Sequence, residues 1–338
     1  MSHKLPYLMR AMVIDTPGPP AGLSPRQIPV PKPGEGQALL KVAYVGMNPL
    51  DGMARAGKID FLPITWPFVP GLEKTGVVVA VGAGVDQNLI GQRVIARLGF
   101  GGYADYALSQ AKLLLPLDPR IDLKTGCVYR GCSFTAWHGL HKAGRLQKGE
   151  TVLIHSAAGA IGIMAMQIAK DFGCKVIGLC GGAAKVAYAK TFGPDHVFDY
   201  TEADWPAHVK AATAGRGCDV ILDGNGGPNA EHNVDLAAKL GRIVYIGATA
   251  GSYPAPVPIP TLIFKNIAVA GMNLAPIEDP PGSATDKGII EAVATGRWTV
   301  PISETVELAD VADLHARLES RRVMGRAVVK VGGDLMKA

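Results

Sequence analysis

Between Thr151 and Cys180 the spacing of apolar residues changes period twice. Thr151 to His155 is a continuous apolar and β-branched run, Ser156 to Gly162 is a string of mostly small residues, and apolar side chains then recur at Ile163, Met166, Ile168 and Phe172. Lys175 to Cys180 is again a short apolar run. The pattern predicts strand, tight turn, helix and strand. HVFDY, VILDGN, RIVYIGA and IAVAGMN continue it as strands, the last three being uniformly apolar, as in a parallel sheet covered on both faces. AEHNVDLAAKL is predicted as the crossover helix between VILDGN and RIVYIGA.

The first 125 residues follow a different pattern. ALLKVAYVGM, KTGVVVAVGAGV and QRVIARLGFGGYADYALS are short β-rich runs separated by Pro and Gly, which predicts a compact, mostly β domain. After 273 come a short helix in DKGIIEAVATG, a second at Val311 to Arg321, and a last strand, RAVVKV. A chain of 338 residues is long for one domain and suits two. The expected organisation is α/β: residues 1–125 β-rich, 126–273 a doubly wound parallel sheet, and 274–338 a return to the first domain.

Composition narrows the partners. Lys and Arg number 34 against 29 Asp and Glu, a net charge of +5, with no run of like charge and no aromatic-basic interleaving, so nucleic acid is not implied. A mildly basic surface suits a small anionic ligand. No stretch reaches the roughly 18 uninterrupted apolar residues a membrane span needs, and MSHKLPYLMRAMVID has no signal-peptide core, so a soluble cytoplasmic protein is expected. Five cysteines without a CxxC pair suggest buried small residues, with neither a disulfide framework nor a thiolate zinc site.

The Ser156 to Gly162 turn carries the candidate chemistry. Where a turn opens a helix at the end of a parallel strand, backbone amides can approach a pyrophosphate only if the side chains are tiny. Gly159 matches the glycine that admits the pyrophosphate and Gly162 the one that lets helix and strand pack, while Ala157 stands where the first glycine of GxGxxG would be. An NAD site normally places Asp or Glu at the end of the next strand, but here that position is Cys180, followed by Gly181 and Gly182. Without a carboxylate a 2′-phosphate is not repelled. Lys185 supplies positive charge one turn later and Tyr200 follows the next strand, so NADPH is the expected cofactor.

Several further segments share one resemblance. VAYVGMNPLDGMARAG, with Asn48 and Asp51 as an Asn-x-x-Asp pair, PFVPGLEKTGVVVAVGAGV, GGYADYA, SFTAWHGL and HSAAGAIG follow in the order seen in the zinc-independent quinone oxidoreductase branch of the medium-chain dehydrogenase/reductase superfamily, which the chain resembles over nearly its whole length. The resemblance implies a GroES-like β domain, a Rossmann domain inserted after it, and a C-terminal return. The positions that hold catalytic zinc in the superfamily's alcohol dehydrogenases correspond here to Asn48, Leu72 and Gly131, which cannot make a zinc site, and Arg97 to Ala111 lacks the four structural cysteines.

The resemblance also implies the site residues. Asn48 and Thr135 line the nicotinamide end, Ala158, Gly159, Ala160 and Ile161 the pyrophosphate, and Gly181, Lys185 and Tyr200 the adenosine phosphate; Gly247, Ala248, Asn273 and Leu274 border the ribose and carboxamide, and Asn225 also touches the cofactor. Met53, Leu72, Tyr129 and Arg130 are expected at the acceptor. Met53 stands where several relatives carry a tyrosine, and Arg130 is read either as recognising an anionic substrate group or as a structural ion pair. His138, His141 and His155 are expected to be packing or surface residues, and no catalytic side chain is assigned. The expected activity is zinc-free hydride transfer from NADPH to quinones or α,β-unsaturated carbonyl compounds. The alternatives are an enoyl-thioester reductase, whose basic groove would involve Arg55, Lys58 and Arg130, and a catalytically silent NADPH-binding protein. A homodimer or homotetramer paired near IAVAGMN is expected from the family.

Overall fold

A computed structural model describes residues 5–59, 64–97, 99–250 and 258–334. It divides into two compact units, one reaching to Gly131 and resuming at Ile302, the other Cys132–Pro301. The second unit therefore runs well past residue 273, where the sequence pattern placed the return. The reason lies in side-chain ties that hold this stretch to its own unit. Lys142 Nζ bonds the Asp279 carboxylate (2.6 Å), Trp298 Nε1 donates to Asp171 (3.2 Å), and the Thr299 N–H donates to Gln167 (2.8 Å).

The first unit is built on a sheet whose strands lie in the order Ile302–Glu307, Arg326–Lys330, Gln37–Gly46, Glu73–Val81, Arg93–Ala96 and Leu114–Pro116, with Tyr106–Gln110 also pairing Gln37–Gly46. Leu8–Val13 and Ser24–Pro29 form a separate antiparallel pair. Met12, Val42, Val45, Met47, Tyr103, Leu314 and Val329 meet in one core, so residues from both ends of the chain close it.

Unusually for such a core, several polar groups are buried in it. Arg55 is held by Glu319 and the Gly18 carbonyl, and Lys74 Nζ donates to the Gly99 carbonyl (2.6 Å). Burial pushes the Lys74 ammonium down to about 8, against the pull of Asp51. His315 is fully buried, edge-on to Tyr103, with no hydrogen-bond partner at either ring nitrogen among the described residues.

Burial, helped by the Arg55 charge, pushes the His315 imidazole down to about 3. Because its folded pKa lies below the unfolded value near 6.5, the unfolded chain takes the proton first. The contribution of His315 to stability is therefore complete above about pH 6.5 and is lost as pH falls toward 3, at up to about 1.4 kcal/mol per pH unit. His315→Leu is expected to flatten the fall of the melting temperature between pH 7 and 4.5; an unchanged slope contradicts this account.

The second unit is a six-stranded sheet in the order His196–Asp199, Lys175–Cys180, Thr151–Ile154, Cys218–Asp223, Ala237–Tyr245 and Ala268–Gly271, every pairing parallel. The chain first steps outward one way, from Thr151–Ile154 to His196–Asp199, then resumes on the other side at Cys218–Asp223. Strand order reverses beside Thr151–Ile154, and the loop at its carboxyl end opens at that switch point. Both the GroES-like and the Rossmann-type expectations describe these two units.

Two predicted elements differ. The crossover helix AEHNVDLAAKL is a 3₁₀ turn, Pro228–His232, and a single turn of helix, Asn233–Leu236, after which Ala237–Tyr245 is already strand. Asn233 turns inward to bond His155 and Asp223, which stops the helix and leaves Ala237 to pair with Cys218. IAVAGMN was predicted as a strand covered on both faces; its strand Ala268–Gly271 instead ends the sheet, and Val269 is 44% exposed.

Candidate functional site

In the second unit every strand runs the same way, so the loops that follow them collect at one edge of the sheet. Residues 156–162, 181–182, 224–226, 247–249 and 273–274 all lie there. Ser156 takes a positive φ of 53°, turning the chain sharply out of its strand. Helix Ala160–Asp171 then starts with Gly159 as its N-cap and no side chain capping it, leaving its first amides open to an anion. A β-carbon on Gly162 would fall 2.3 Å from the Ser156 carbonyl oxygen and 2.9 Å from Ala157 Cα, so only glycine lets the helix close on the turn.

A polar strut supports these loops from below. Asn225 Oδ1 accepts from Ser156 Oγ (2.7 Å) and Thr249 Oγ1 (2.8 Å), tying three loops to one amide. Asp223, fully buried, accepts from the Asn225 and Gly226 N–H groups (2.8 and 2.9 Å) and from Asn233 Nδ2 (2.8 Å). Asn233 Oδ1 in turn lies 2.8 Å from His155 Nε2. Sequence reasoning missed Asp223 and Asn233, and read His155 as a packing residue without its partner.

Gly181 and Tyr200 touch: a β-carbon on Gly181 would sit 2.7 Å from the Tyr200 ring. Gly182 caps helix Ala183–Lys190, placing Lys185 in its first turn. Burial pushes the Cys180 thiol up to about 11, with Asp199 adding to the shift and Lys185 opposing it, so both charges lie near this strand end. Asp199, unremarked in the sequence, spends Oδ1 on the Gly182 N–H (2.9 Å) and on the Thr201 N–H and hydroxyl (2.9 and 2.7 Å). Those contacts hold its carboxyl below the usual carboxylate range although burial opposes them.

In the first unit Asn48 caps helix Pro49–Arg55 in a reciprocal box: its Oδ1 accepts from the Leu50 N–H (3.0 Å), and Asp51 accepts from its backbone N–H (2.9 Å). The other oxygen of Asp51 accepts from the Gly71 and Leu72 N–H groups (3.1 and 2.9 Å). Burial pushes this carboxyl up to about 6 despite three backbone donors. The spacing Asn-x-x-Asp was itself a signal for such a cap.

Asn48 Nδ2 donates to Glu73 Oε1 (3.2 Å), and a β-carbon on Gly131 would lie 2.3 Å from that oxygen. The Glu73 carboxylate thus fills the space a side chain at 131 would need. Asn48, Leu72, Gly131 and one carboxylate are not a zinc donor set, since thiolate and imidazole are both missing. Glu73 and Arg326, which lies 3.4 Å from its other oxygen, were not singled out from the sequence.

The remaining expected residues divide by exposure. Gly247, Ala248 and Asn273 are exposed at the loop edge, with Leu274 and Thr135 half-buried. Of the acceptor candidates Met53 is 41% exposed, whereas Leu72, Tyr129 and Arg130 are buried. Arg130 is 3% exposed. With Arg55 also buried against Glu319, the basic groove of the thioester alternative loses two of its three members. His138 is satisfied by the Phe134 carbonyl (2.8 Å) and the Asp279 N–H (3.1 Å).

Residues 34–119 match the alcohol dehydrogenase GroES-like domain and 160–286 the zinc-binding dehydrogenase domain. A quinone oxidoreductase of Sus scrofa is 34% identical over 223 residues, 65% of this chain and 67% of that protein. One from Pongo abelii is 32% identical over 243 residues, 71% and 74%. The structure of Escherichia coli quinone oxidoreductase complexed with NADPH superposes with a TM-score of 0.86 at 26% identity, covering 95% of this chain and 99% of that one.

Proposed function

The chain belongs to the quinone oxidoreductase branch of the medium-chain dehydrogenase/reductase superfamily, and on that premise we propose that it reduces quinones or α,β-unsaturated carbonyl compounds with NADPH and without zinc. The observation that carries this reading is the Glu73 carboxylate lodged against Gly131 and bonded to Asn48, where a metal-dependent relative would need soft donors. Conjugated acceptors need no Lewis acid, because the charge that develops on reduction spreads to an oxygen that a hydrogen-bond donor can meet.

When bound, NADPH supplies the hydride. The open amides after Gly159 take the pyrophosphate, and the Gly181, Tyr200 and Lys185 group takes the 2′-phosphate. Asn225, Gly247, Ala248, Asn273 and Leu274 sit on the same loop edge to border the ribose and carboxamide. Lys185→Glu is expected to lower the NADPH-over-NADH preference about 10- to 100-fold, read as a ratio of kcat/KM values. An unchanged ratio removes Lys185 from the site.

The decisive experiment is steady-state reduction of 1,4-naphthoquinone and of simple enones by NADPH, before and after chelation, with metal analysis of the purified protein. Turnover that survives EDTA in metal-free protein is the expected result. Bound NADPH with no turnover of any acceptor, or a stoichiometric metal whose removal stops turnover, defeats the reading.

The edge strand points to a second copy as partner. Among the described residues Ala268–Gly271 pairs on one side only, and helix Ile259–Lys265 exposes Ile259, Ile263 and Phe264 (63, 65 and 81%). A homodimer through this edge covers them. Phe264→Glu is expected to sediment as a monomer where the parent is a dimer; an identical sedimentation coefficient rules this edge out.

A further inference from the structure

We propose that Asn48 is the hydrogen-bond donor to the acceptor oxygen and that Glu73 is the residue that positions it, an inference resting on the reductase reading above. An asparagine amide has one acceptor oxygen and two N–H donors. Capping the helix uses Oδ1, which receives the Leu50 N–H, and this fixes which end of the amide faces the helix. One Nδ2 hydrogen goes to Glu73. The other has no protein acceptor among the described residues, and Asn48 is only half-buried.

The Glu73 contact is more than the cap requires. A buried carboxylate is costly unless it is paired, yet three distant segments cooperate to keep this one where it is. Gly131 leaves the space, Arg326 Nη2 stands 3.4 Å from Oε2, and Arg326 Nη1 donates to the carbonyl of Met47 (2.7 Å), the residue before Asn48. The same arginine therefore fixes both the carboxylate and the backbone from which the amide projects. Oε2 itself makes no hydrogen bond among the described residues, so the group is not arranged simply to satisfy the carboxylate.

The chemistry balances without another catalyst. The electron-poor carbon gains the C–H bond that bound NADPH loses in giving up its hydride and leaving as NADP⁺, and the conjugated π pair moves onto oxygen. The free Asn48 N–H bonds that oxygen as its charge grows, and a proton from water completes the reduction. Held by Glu73, the amide has little orientation left to lose in the transition state.

The test is the kinetics of 1,4-naphthoquinone reduction by a variant series. Asn48→Ala is expected to lower kcat about 100-fold and Glu73→Ala about 10-fold, the latter with NADPH affinity unchanged. Glu73→Gln, which keeps an oxygen for Asn48, restores most of the rate. Gly131→Ala takes the carboxylate's space and lowers kcat too, but adds nothing once Glu73 is alanine. Full kcat in Glu73→Ala, failure of Glu73→Gln to restore it, or additive losses in the double variant overturns the proposal. If the wild-type protein reduces no acceptor, the reductase reading fails on its own, and this inference is decided by binding of p-nitrophenolate to the NADP⁺-loaded protein. Weakening by both Asn48→Ala and Glu73→Ala, larger for Asn48→Ala, sustains it; binding undiminished in either variant refutes it.

Discussion

Gly159→Val is expected to fold like the parent and to lose NADPH at least 100-fold, about 2.7 kcal/mol. Gly159 has φ −89° and ψ 163°, an extended conformation that valine favours, so its backbone does not demand glycine. A β-carbon there meets only the Ser156 carbonyl oxygen, at 3.2 Å, within 3.5 Å. What the branched side chain takes is the open space over the uncapped helix start, where a pyrophosphate must approach the amides. Gly162→Ala makes the contrast: its methyl would strike backbone at 2.3 and 2.9 Å, so the loss appears in folding rather than selectively in binding. Fluorescence titration with NADPH beside thermal melts separates the two. Normal NADPH affinity in Gly159→Val would remove the pyrophosphate from this turn.

The second large effect is expected at Asp223, which is fully buried beneath the loops. Asp223→Ala strands two backbone N–H groups and the Asn233 amide in a buried site, at about 1–3 kcal/mol for each orphaned donor, so a loss of at least about 3 kcal/mol in urea denaturation is expected. The same change loosens the backbone of Asn225, whose side-chain oxygen ties Ser156 to Thr249, so NADPH affinity is expected to fall as well. Saturating NADPH should recover part of the lost stability, because only the ordered loops bind it. A variant with the parent's urea midpoint and NADPH affinity would show that the strut carries neither load.

Local pattern was sufficient for much of this. The strand–turn–helix–strand of Thr151 to Cys180, the small residues at its turn and the missing acid at Cys180 are properties of neighbouring residues, and sequence displays neighbours directly. So is the Asn48 to Asp51 cap. The crossover after Cys218–Asp223 was misread because the periodicity of AEHNVDLAAKL gave no sign that Asn233 would be drawn inward by His155 and Asp223. Arg55, expected in a basic groove, is buried for a similar reason: whether a guanidinium is buried depends on a partner such as Glu319 that the local sequence does not show.

The sequence by itself determined the two kinds of unit, the small-residue turn at Ser156 to Gly162 and the absence of cysteine and histidine at 48, 72 and 131. Only the tertiary structure decided what occupies that donor-free place. Glu73, Gly131 and Arg326 lie on different elements, and they meet because strand pairing and core packing bring distant segments within hydrogen-bond range. Periodicity records which face of an element is buried; which polar group it then meets is set by the rest of the fold.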